Sequence, residues 1–215
     1  MAVLVDLDLY SVLTPVGLFW SILTYWLMFS RGGRAALANP WGIAVFGVAL
    51  ILSLGHVFAE MERLSALAGG MTPLDGQFGY GRAEVVEFAQ RLGAEGRREY
   101  AMFQLGADTL APPAFACFLM AVFRSTVPSL SLQKVLTLIV CVYFSSVLLA
   151  NALMPVIMLS YPATDSGVIP FLMQAVPRLD FIKYASHGLA WLIVFGAWLW
   201  RFGAWGSRRF VVQAN

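Results

Sequence analysis

Charge is scarce in this chain: Asp, Glu, Lys and Arg together make up only 12% of its 215 residues. A soluble domain carries about a quarter, so there is too little charge here to cover a water-facing surface. A net charge of +2 with no basic run excludes a nucleic-acid binder. Cysteine is nearly missing too. Cys117 and Cys141 lie in apolar segments without a C-x-x-C pair, which excludes a disulfide framework or cysteine metal centre and marks both as packing residues. GxxxxGK[ST], HExxH and GxSxG are absent. The absence of an internal repeat argues against a repeat-built transporter. Asp6 and Asp8 precede every basic residue, so no cleavable targeting segment is expected.

What is abundant is apolar surface, 60% of the chain. Runs of about 20 apolar residues match a helix crossing a hydrocarbon core of about 30 Å. They fall at 10–29, 40–59, 101–123, 135–160 and 184–200. Pro112-Pro113 and Pro155 lie inside the third and fourth and predict kinks. Between the second and third spans, Val85, Phe88, Ala89 and Leu92 recur at helical spacing. They predict an amphipathic helix over 82–92 on the membrane surface, ended by Gly93 and Gly96. The expected fold is all-α: an integral membrane helical bundle forming one membrane domain over 1–215, with five transmembrane helices plus this interfacial helix.

Charge also sorts by side. Arg31, Arg34, Arg124, Lys134, Arg201, Arg208 and Arg209 occupy one set of loops and tails, which holds no acid. The opposite set holds every acid except Asp108, and its short loops and tails carry only Arg178 and Lys183. The first set is expected to face the cytosol or matrix. Its Arg31, Arg34, Arg124 and Lys134 are the candidate contacts to anionic lipid headgroups, cardiolipin among them. Trp26, Trp41, Trp198, Trp200 and Trp205 at that end, and Tyr10, Tyr100, Tyr161 and Tyr184 at the other, read as interfacial belts.

Ionisable residues inside spans are functional candidates by default. His56, Asp108, Asn151 and His187 fall at one depth, with Glu60 and Lys183 at its edge. Three chemistries fit. The groups can bond across helices as a polar packing layer. His56 and His187 can be axial ligands of a b-type haem. Asp108, Glu60 and His56 can form an acid–base set acting on a lipid, sterol or quinone.

Asp75, Phe78-Gly79-Tyr80, Leu92-Gly93-x-x-Gly96-Arg97-x-x-Tyr100 and Asp108 with its following proline form a distinctive series, continued by Asn151, Tyr161-Pro162 and Lys183. Over about residues 75–183 this series resembles a poorly characterised group of small four-span bacterial membrane proteins. In that group the asparagine follows an acidic pair, D-x-x-E-N, whereas Val147 and Ala150 stand at those positions here. The resemblance implies descent from a bacterial membrane protein and loss of any reaction those acids served.

The expectation is a non-catalytic accessory subunit of a larger energy-transducing complex of the respiratory-chain or ATP-synthase type. It would bind phospholipid and neighbouring subunits, need no cofactor, and sit in the mitochondrial inner membrane with its C-terminus in the matrix. A bacterial plasma membrane with a cytoplasmic C-terminus is the alternative location. A small membrane enzyme or ligand-binding protein is the alternative function, alongside a bis-histidine haem anchor.

Overall fold

The computed structural model describes residues 7–163 and 165–213, with side chains over 13–39, 41–163 and 165–200. The expected groups at Asp6, Asp8, Tyr10, Arg201, Trp205, Arg208 and Arg209 lie outside the described side chains. The described chain is all-helical and without strands. Its α-helices are α1 Leu7–Phe29, α2 Arg31–Ala38, α3 Pro40–Leu67, α4 Arg82–Leu105, α5 Ala111–Thr126, α6 Leu130–Ser160 and α7 Ile169–Gln213.

Three stretches are long and apolar enough to cross a membrane: Trp41–Leu67, Arg82–Thr126 and Leu130–Ser160. Leu13–Phe29 with Arg31–Ala38, bent by 90°, makes a fourth if the bent pair is one span. Five crossings are more than these helices provide by length and apolarity alone. The shortfall falls on α7, where Tyr184, Ser186, His187 and Gly188 dilute the apolar run.

Local chemistry explains the breaks. Ser30 caps α2 by accepting from the Gly33 amide at 2.9 Å, and Asn39 caps α3 through the Trp41 amide at 3.0 Å. Both satisfy amide donors that a helix start leaves open. Pro112 and Pro113 do not kink a continuous helix. They lie in the first turn of α5, where a missing amide hydrogen is harmless, and a short 3-10 turn, Ala107–Thr109, separates α4 from α5. α6 continues through Pro155.

The 82–92 helix is present as the first part of α4, and its expected end at Gly93 coincides with a break at φ 67°, ψ −178°. Its apolar face, however, packs into the protein. Val85 and Phe88 are fully buried beside Leu64, Leu74, Tyr100 and Met173. A face already covered by protein is not free to lie on lipid. Gly93 occupies a backbone region open almost only to glycine, although a Cβ there would meet nothing within 4 Å. Gly93→Ala therefore tests backbone strain alone. We expect a loss of about 1–3 kcal/mol, read as a lowered midpoint in detergent thermal unfolding, with helical content retained.

α6 packs chiefly on α7 and α4, and α3 on α5. The core has two parts. One gathers α4, the 68–81 loop and the start of α7; the other gathers α5, the 90° bend and the first half of α6. As expected of packing residues, Cys117 is buried, beside the Thr24 hydroxyl at 3.6 Å; Cys141 is half-buried, and both are free thiols.

Candidate functional site

The 161–183 segment, expected as a loop, is helical from Ile169 onward. This correction creates the site. Asp180 and Lys183 lie three residues apart on α7, so they share a face and pair at 2.9 Å. A neutralised pair can be buried where either charge alone could not. Asp180 is only 3% exposed.

Opposite them the 3-10 turn Leu74–Gly76, anchored by the fully buried Leu74, presents Asp75. The Lys183 ammonium lies 3.8 Å from this second carboxylate. Asp75 also accepts from the Tyr100 hydroxyl and the Gln104 amide on α4, and its backbone carbonyl accepts from the Tyr184 hydroxyl. Tyr80, at the end of the same loop, donates to Asp180. Burial, with the Asp180 and Asp75 charges added, pushes the Tyr80 phenol up, so it remains a protonated donor. Tyr100 is thus no interfacial belt residue: it is fully buried, edge-on to Phe88 at 5.0 Å.

Asp108, in the turn between α4 and α5, lies within electrostatic reach of Asp75, Asp180 and Lys183. Asn151 on α6 is its neighbour. Asn151 is 2% exposed, and its amide lies against the Asp108 carboxyl without a well-formed hydrogen bond of its own. The buried Gln104 Oε1 is likewise unpartnered. Asp108 and Asn151 are therefore brought together, as their common depth predicted, with Lys183 beside them.

The histidines are not part of this cluster. His187 sits in an aromatic box, stacked on Phe115 at 4.3 Å and edge-on to Tyr143 at 5.8 Å. Its Nε2 accepts from the Trp191 indole at 3.1 Å. His56 is half-buried on α3, a helix that does not pack substantially on α7. Glu60 is held by Arg63 at 2.9 Å, and Arg63 reaches on to Glu99, clamping α3 to α4. No group of three or more His, Cys, Asp or Glu suited to a metal occurs among the described residues.

At the opposite end, Arg34, Arg124 and Lys134 converge on one groove, whereas Arg31 is exposed outside it. Asp75, Tyr80, Tyr100, Gln104 and Asp180 were missing from the sequence-derived layer. Asp75, Tyr80 and Tyr100 do fall in the series on which the expected resemblance rests, the one signal in the sequence that points to them. No protein-family model matches the chain, and neither a curated protein nor a solved structure matches it.

Proposed function

We propose that this protein is a non-catalytic accessory subunit of a larger membrane assembly, held together internally by its polar layer. On this reading α1 and α7 also cross the membrane, giving five spans and a C-terminus on the cation-rich side. An energy-transducing membrane, such as the mitochondrial inner membrane, is the proposed location, and a respiratory-chain or ATP-synthase complex the proposed setting.

One observation carries the proposal. Three of the layer's charged groups are committed within it: Asp75 to Tyr100, Gln104 and Lys183, and Asp180 to Tyr80 and Lys183. Such a network fastens the 68–81 loop to α4 and α7, which is structural work. Glu60, an alternative acid–base residue, is likewise committed to Arg63. Meanwhile only 17% of the most apolar window of α3 is buried within the chain. Its outward Val45, Val48, Ile51 and Leu52 suit a protein neighbour as well as lipid.

A photo-crosslinking residue at Ile51, activated in the native membrane, tests this. We expect discrete protein adducts of higher mass. Lipid adducts alone would refute a neighbour on this face. The second reading, a small membrane enzyme or ligand-binding protein, draws on Asp108 and the buried Asn151 beside it, which make no ion pair of their own among the described residues. Asp108→Asn separates the two, because a structural layer tolerates the amide in assembly and shows no lost turnover.

A further inference from the structure

The sequence marks four cations as headgroup contacts, but the fold treats them unequally. Past the 90° turn between α1 and α2, Arg34 lines a groove while staying exposed. Arg124 leaves the last turn of α5, and Lys134 follows the start of α6. All three line a groove of about 680 Å³, and no carboxylate lines it with them. None of the three is ion-paired among the described residues. The Arg34 charge acts on Arg124, and the buried Arg124 Nε has no acceptor. Converging cations beside an orphaned buried donor favour an anion.

The rest of the lining narrows the choice of anion. Exposed Phe29, Leu130 and Leu138 form an apolar wall beside the cations. A free inorganic anion has no use for such a wall, whereas acyl chains do. A guanidinium fork suits a phosphodiester oxygen pair, and Lys134 supplies a further point charge.

We infer that this groove binds the phosphate of one anionic phospholipid, with its chains along Phe29 and Leu138. The inference rests on the membrane reading of the chain and not on its being a subunit.

The test is native mass spectrometry of the full chain. The protein is released from micelles containing equal amounts of phosphatidylglycerol and phosphatidylcholine with the same chains. The parent should retain phosphatidylglycerol about 10-fold or more over phosphatidylcholine. Lys134→Gln should cut that preference about fivefold, the effect of one interfacial cation. Arg31→Gln removes the same charge at the same end but outside the groove, and should leave the preference unchanged. Both residues are exposed, so neither change threatens folding. Equal losses from the two variants would mean diffuse surface attraction, and no parent preference would mean no site; either result overturns the inference. Excess inorganic phosphate should leave the lipid bound. Its displacement would show a simple anion site and also overturn the assignment. Neither result bears on protein crosslinks at Ile51, so this inference and the subunit reading fail separately.

Discussion

Lys183→Met should lower stability more than any other single change in the polar layer. The ammonium is the cation set between Asp75 and Asp180, at 3.8 and 2.9 Å, and its side chain is only 11% exposed. Methionine fills a similar volume but leaves two buried carboxylates facing each other unpaired. Removing one member of a buried ion pair costs about 3–5 kcal/mol. For a chain of this length that corresponds to a midpoint about 10 °C lower in detergent thermal unfolding. The double variant Lys183→Met/Asp180→Asn removes the excess charge while keeping an acceptor for Tyr80, so it should recover more than half of the loss. If the single variant unfolds within a degree of the parent, the layer does not hold the fold.

The second large effect belongs to the bend between α1 and α2. A Cβ on Gly33 would sit 2.4 Å from the Leu27 Cα and 2.6 Å from its carbonyl oxygen. These are backbone atoms, so no rotamer change relieves the clash. Gly33→Ala must open the bend and disturb the Ser30 cap, at a cost of about 3 kcal/mol. Because Arg34 is the next residue, the phosphatidylglycerol preference should fall with the stability. Gly55 is the counterpart: it lies inside α3 with nothing within 4 Å of its added Cβ. Gly55→Ala should be stabilising by about 0.5–1 kcal/mol, the ordinary helix-interior effect. Opposite signs for the two alanines are the expected outcome, read by thermal unfolding. Equal effects would contradict the close approach at Gly33.

How much of this was legible in the sequence depends on which physical signal each element carries. α3 and α6 are long apolar runs, and their expected spans at 40–59 and 135–160 fall inside Pro40–Leu67 and Leu130–Ser160. The stop at Gly93 was legible because a glycine after an amphipathic period marks a helix end. The start of α7 was not. Arg178, Asp180 and Lys183 lower hydropathy enough to resemble a loop. Only the three-residue spacing of Asp180 and Lys183, one helix face with opposite charges, indicates a helix that can be buried. Tyr100 was placed at an interface because position along a span cannot tell a tyrosine facing lipid from one facing Asp75. The Asp75 partnership was beyond reach, since it joins a loop to helices 25 to 109 residues away. Asp108 and Asn151 are neighbours, whereas an expected common depth alone would not say which groups meet.

Depth did not suffice for the histidines. His56 and His187 are expected at one level of the membrane, yet one sits on α3 and the other inside the Phe115, Tyr143 and Trp191 box. Equal depth places groups on a ring around the bundle axis, and only packing decides which of them meet. The same distinction separates Arg31, which is exposed outside the cation groove, from Arg34, which lines it.

The central claim is that the polar layer makes this chain a structural part of a larger assembly. The most direct measurement is the native mass of the particle extracted from its own membrane in mild detergent. The account predicts co-migration with other proteins at a mass far above the 23.6 kDa chain and its detergent. A stable particle containing one copy of this chain, lipid and nothing else would contradict it.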